Sequence, residues 1–223
     1  MHRTKLADRI LPFYSRGEEI MNMVTHIVGG GLGIIALIAG LLKTIPSKNI
    51  LDIVGCVVYG ISMIMLYTIS SVYHGILPCL GKKVMQIIDH CSIYFLIAGT
   101  YTPILLSAII PSYPFIGWFL FGTQWLLAAL AITLTAIDLR QYRVFSMTCY
   151  IFMGWEIILF LPQAITALGL NGFGLLLSGG IAYTLGAVLY GVGSKKPWFH
   201  SVFHIFVVIG SLLQFLSIIL YVL

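Results

Sequence analysis

Two histidines four residues apart, His200 and His204, stand in the segment His200-Ser201-Val202-Phe203-His204. In a helix that spacing stacks both imidazoles on one face. Ser70 and His74, in Ser70-Ser71-Val72-Tyr73-His74, have the same relation. Two such histidines and a third from another helix supply three nitrogen ligands, and a catalytic zinc site has three protein ligands and an open position for water. Asp89 is the carboxylate available to hydrogen-bond that water or a ligand histidine. A zincin H-E-x-x-H pattern carries a glutamate beside its first histidine; here that position is Ser201, so the base has to come from elsewhere. A blander alternative stands beside this one, in which the histidines face lipid headgroups and Asp89 snorkels or pairs with Lys83.

The elements that must position these residues are set by hydropathy. Of 223 residues, 60% are hydrophobic and 9% charged, where a soluble domain carries roughly a quarter charged. A mean hydropathy of +1.04 excludes an ordinary soluble enzyme and points to lipid. A spanning helix needs about 20 apolar residues, and seven such runs fall near Asn22–Leu42, Ile50–His74, Val84–Ile110, Pro114–Ile137, Val144–Ala167, Gly172–Val192 and Trp198–Leu223. Pro46, Gly75, Pro78, Pro111, Pro114 and Pro197 punctuate them. The junction of the fifth and sixth runs is marked by Pro162, Gln163 and Asn171 without a charge, and a mere kink there would leave six.

Positive charge decides the count and the orientation. Ten of the twelve basic residues fall on one side: Arg3, Lys5, Arg9 and Arg16, then Lys82 and Lys83, Arg140 and Arg143, Lys195 and Lys196. Lys43 and Lys48 fall on the other. Cytoplasmic loops collect such residues, and a six-span chain puts Lys195 and Lys196 on the wrong face. The expected fold is therefore an all-α membrane protein, a single seven-transmembrane helix bundle over residues 1–223. Residues 1–21 form a cytoplasmic N-terminal segment and the C-terminus is outside. No secretory signal is expected, because twenty mixed-charge residues precede the first run. The short loops leave no room for a nucleic-acid surface, so the net charge of +5 is a topology signal. Cys56, Cys79, Cys91 and Cys149 lack C-x-x-C spacing and read as reduced thiols.

Depth then sorts the polar residues inside the spans, each costly in lipid unless paired or ligated. At about 1.5 Å per residue, Asp89 lies about 9 Å beyond Lys83, and His200 and His204 lie about 6 and 12 Å beyond Lys196. His74 ends the second run on the same side, with Ser70 one turn deeper. His90 points about 100° away from Asp89 and reads as a structural hydrogen-bonder. His26, with Asn22, Thr25 and Glu19, makes a polar face that supports rather than ligates. Glu156, about 20 Å beyond Arg143, belongs to the far half, as a buried hydrogen bond or a separate outer site. Gly29 to Gly33 permits close helix approach.

Ser70-x-x-x-His74, Asp89 opening the stretch Asp89-His90-Cys91-Ser92-Ile93-Tyr94-Phe95-Leu96-Ile97-Ala98-Gly99-Thr100-Tyr101-Thr102-Pro103, and His200-x-x-x-His204 together resemble the progestin and adipoQ receptor family. The opening Glu18-Glu19-x-x-Asn22-x-x-Thr25-His26 looks like its bacterial branch, the hemolysin III-like proteins. The resemblance implies a seven-helix bundle of the bacterial plasma membrane with zinc near the cytoplasmic face. It implies His74, His200 and His204 as ligands, with Asp89 and Ser70 beside the metal and its water. It further implies a ceramidase-like hydrolysis of lipid amides or esters in membrane lipid homeostasis, with membrane lipid as partner and no nucleic acid. Two other roles compete: a non-enzymatic sensor or regulator with structural zinc, and a cytolytic pore-forming protein.

Overall fold

The structure, a computed structural model, describes residues 4–192 and 196–223; Arg3 and Lys195 of the charge argument lie outside them. All regular structure among the described residues is helical. Helix α1 (Arg16–Thr44) starts six residues before the expected apolar run because Ser15 and Glu18 form a capping box. There the Glu18 carboxylate takes the Ser15 N–H while the Ser15 hydroxyl takes that of Glu18. Helix α2 (Ile50–Gly75) is capped by the Asn49 side chain. Helix α3 runs Leu80–Ser112 and widens into a π-helical stretch over Ile104–Ile109 directly after Pro103, which has no N–H to give. Helix α4 covers Pro114–Ile137, with proline at its first position.

Helix α5 (Arg143–Trp155) tightens into a 3-10 stretch, Glu156–Phe160, and continues as α6 (Leu161–Val192). The expected interruption lies at Gly169, where φ 70 and ψ 165 are not helical; Pro162 sits harmlessly in a first turn. The legs before and after Gly169 lie side by side: Trp155 Nε1 donates to Thr184 at 2.9 Å. The Tyr150 hydroxyl donates to the His90 carbonyl, and the Tyr190 hydroxyl lies 3.5 Å from His90 Nε2. Helix α7 spans Phe199–Val222.

Among the described residues six helical runs are long and apolar enough to cross a membrane, one of them the 50-residue stretch Arg143–Val192. Their outward faces are apolar too: Ile35 is 58% exposed, Leu126 73% and Val188 56%. A water-soluble bundle does not present such belts, and this is a multi-pass membrane protein. Inside, glycines set the helix spacing. A Cβ at Gly29 would enter the Tyr67 ring, one at Gly33 would stand 3.0 Å from the Ile64 backbone nitrogen, and one at Gly99 would collide with Ser62. These contacts bring α1, α2 and α3 close enough to share the site.

Candidate metal centre

His74 lies in the last turn of α2, and His200 and His204 lie in the first turns of α7. What brings α7 there is its start. Trp198 adopts a left-handed φ of 68, its N–H donates to Glu18 at 2.6 Å, and its ring packs on Gly17. Glu18 thus caps α1 with one oxygen and holds α7 with the other.

The ligand nitrogens of His74, His200 and His204 all lie within 4.8 Å of one another. His200 Nε2 and His204 Nε2 are 3.0 Å apart, a distance at which two neutral imidazoles can share one proton and no more. His74 Nδ1 lies 2.6 Å from Glu19 Oε2, and Lys82 holds the other Glu19 oxygen. That bond fixes the Nδ1–H tautomer and turns Nε2, buried and without a partner, towards the other two rings. His200 Nδ1 and His204 Nδ1 are also buried without partners. Buried polar atoms rarely go unsatisfied, and a cation held by three imidazoles would satisfy the inward set. The donor set fits a metal of the zinc, copper, iron or nickel type.

Around the three rings the structure packs aromatic walls. Tyr14, ahead of α1, stacks on His200 with centroids 4.8 Å apart, and His26 stacks on His204 at 3.8 Å. Burial pushes the Tyr14 hydroxyl well above the ordinary tyrosine range, so it stays protonated. His26 stands outside the converging group with neither ring nitrogen partnered. Thr25, placed with it on one polar face, bonds back to its own helix instead. Asp89 and Ser70 line the same cavity as His200 and His204, and the Ser70 hydroxyl is turned to the Asp89 carboxylate. Asp89 does not join the three ligand nitrogens, nor does it pair with Lys83, whose ammonium reaches the Ala7 carbonyl. His90 is a structural hydrogen-bonder, held by the Gln86 carbonyl at 2.8 Å. Glu156 is a buried hydrogen-bond acceptor for Thr123 and Gln124.

The cavity measures about 1130 Å³. Its inner walls are apolar, Leu66, Leu96, Ile157, Phe173 and Leu176 among them, and its mouth is crossed by the segment before α1. A profile of the haemolysin-III related proteins matches residues 14–215. The chain belongs to that family. It is 39% identical over 206 residues to "Hemolysin-3" of Bacillus cereus, covering 92% of each chain. It is 36% identical over 204 residues to the "Hemolysin-3 homolog" of Bacillus subtilis (strain 168), covering 92% of this chain and 94% of that one. The human "Monocyte to macrophage differentiation factor" is 26% identical over 209 residues, 90% of this chain and 83% of its own. The resemblance to the hemolysin III-like branch of the progestin and adipoQ receptor family is thereby established. All five expected site residues fall inside the haemolysin-III interval. Glu19, the partner of His74, was not among them, although its spacing from Asn22 and His26 placed it on the same helix face.

Proposed function

We propose that this haemolysin-III related chain is one seven-crossing domain over residues 1–223 of the bacterial plasma membrane, N-terminus in the cytoplasm and C-terminus outside. It holds zinc on His74, His200 and His204 and hydrolyses lipid amides or esters. The observation that carries this is the convergence of three imidazoles, His74 with a bare buried nitrogen, beside an apolar cavity of about 1130 Å³. The seven-crossing count rests on the break at Gly169 and on the two legs that share the His90 end.

Hydrolysis adds water across the acyl C–N or C–O bond and releases an acid with an amine or alcohol. Zinc, when bound, supplies a Lewis acid for the acyl carbonyl and lowers the pKa of water towards ~7. The Asp89 carboxylate accepts the proton of the attacking water and passes it to the leaving group. Ser70 donates its O–H to the Asp89 carboxylate and so fixes its orientation. Glu19 holds the His74 ring in place, and the apolar walls take the acyl chain while excluding water from it. Incubation of the purified protein with lipid amides, with and without a chelator, tests the proposal. Turnover should require metal and vanish in His204→Ala; turnover indifferent to either change would overturn it.

The regulator reading draws on the ties among helices, since Glu18 joins α1 to α7 and Glu19 joins α1 to His74 and Lys82. A metal on His74, His200 and His204 would tie α2 to α7, and Asp89 as a fourth ligand would add α3. Parallel loss of metal and thermal stability in Asp89→Ala, with no turnover by the native chain, would select it. The relatives' name raises a pore, and efflux from liposomes holding the purified protein would revive that role.

A further inference from the structure

Residues 4–15 cross the cytoplasmic mouth of the cavity as a strap. The Thr4 N–H donates to Asp138 at 2.7 Å, Lys83 holds the Ala7 carbonyl, and Ser15 closes the far end in the α1 capping box. Arg9 points inward from this strap. It is only 8% exposed and lines the cavity, yet its Nε and Nη1 are buried without a hydrogen-bond partner. None of the ion pairs among the described residues includes it. A buried guanidinium without a counter-charge is costly and calls for one.

The surroundings narrow what that counter-charge is. Arg140, Arg143 and Lys196 line the same cavity, so the mouth is basic. Of the acids that also line it, Glu18 is committed to Ser15 and Trp198, Asp89 faces Ser70, and Asp8 is exposed. His200 and His204 of the three-histidine group line the same cavity, with Tyr14 of the same strap stacked on His200. A molecule filling the site has a hydrocarbon tail within, a hydrolysable bond at the histidines, and an anion at Arg9.

We propose that Arg9 is the receptor for an oxyanion head group, carboxylate or phosphate, on an N-acylated amphiphile whose amide lies at the histidines. This deepens the hydrolase reading and rests on it for the position of the amide. The guanidinium fork matches either oxyanion through two parallel hydrogen bonds. A neutral amide leaves Arg9 buried and unpaired, so it binds less well.

The test is equilibrium binding to the full-length protein in a neutral detergent, with N-oleoylglycine, the phosphate ester of N-oleoylethanolamine, neutral N-oleoylethanolamine, and oleate. The anionic amides should bind about ten- to a hundredfold more tightly than the neutral one, the range of a charged hydrogen bond, and the tighter of the two names the oxyanion. Arg9→Gln should erase the preference by weakening the anionic amides, and Arg9→Lys should restore part of it. Equal affinity of the native chain for anionic and neutral amides would overturn the proposal, whatever the variants do. So would oleate that binds as tightly as N-oleoylglycine and depends equally on Arg9, because the amide would then have no place between head and tail. In His204→Ala the head-group preference should persist. If it persists while the native chain hydrolyses none of these amides, the Arg9 site stands and the hydrolase reading fails.

Discussion

The carboxylate of Glu19 decides which nitrogen of His74 faces the other two imidazoles. At 2.6 Å it accepts the Nδ1–H hydrogen bond, and Lys82 on its second oxygen holds it in place. A carboxylate behind a ligand histidine typically contributes 10- to 100-fold in metal affinity. Glu19→Ala should therefore weaken metal retention by about that factor, and Glu19→Gln by less, measured by competition with a chromophoric chelator. Unchanged affinity in Glu19→Ala would mean that His74 is oriented by its neighbours alone. The histidines and Asp89 were legible in the sequence because few polar groups survive in an apolar chain and their spacing sorts them. Tautomer and ring direction were not legible, since they depend on Glu19, 55 residues from His74. The stacking of His26 on His204 and of Tyr14 on His200 likewise joins elements that no local pattern connects.

Helix packing explains why a small change at Gly29 reaches the site. A Cβ there enters the Tyr67 ring, which lies edge-on to His26 and donates to Ser211 of α7 at 2.6 Å. Gly29→Val should cost about 1–3 kcal/mol, the usual range for overpacking, and should lower the melting temperature and the metal affinity together. Gly31→Ala, with open space around its Cβ, should do neither. The strap offers a pH test at the same scale. Burial pushes the Asp138 carboxyl up, but the N–H groups of Thr4, Gln141 and Arg140 outweigh it and hold the group at about 2, below the ordinary 3.8. A lowered folded pKa stabilises docking fully above the ordinary value, and that stabilisation fades as pH falls from about 4 to about 2. A spin label at Lys5 should become mobile across that window, and Asp138→Asn should mobilise it at neutral pH. The helix runs themselves were legible from hydropathy, Pro114–Ile137 to the residue. An interruption between the fifth and sixth runs was legible as well, but its seat at Gly169 was not, because one glycine among 23 carries no sign of its φ. Nor was the 3-10 stretch after Glu156, whose carboxylate is held by Thr123 and Gln124 of α4.

At the scale of the molecule, α1 and α7 run parallel. Glu18 and Trp198 join their starts, and Lys43 donates to the Ile219 carbonyl near their ends, at 2.6 Å. Successive crossings alternate in direction, so a first and a last helix that run the same way have an odd number of crossings between them, and the total is odd. Six apolar runs satisfy this if Arg143–Val192 crosses twice with its turn at Gly169, which is the proposed topology. With the His200 end in the cytoplasm, as proposed from the basic loops, Ser47 and Asn171 should lie outside, and Cys79, Gln141 and Lys196 inside. An impermeant maleimide added to intact cells separates these sides. In a chain without Cys56, Cys91 and Cys149, the native Cys79 should be labelled only after permeabilisation. With Cys79 also removed, Ser47→Cys and Asn171→Cys should be labelled at once, and Gln141→Cys and Lys196→Cys only after permeabilisation. Asn171 is the deciding position: a straight single crossing over Arg143–Val192 would bury it at mid-depth, and resistance to label from both sides would overturn the seven-crossing count.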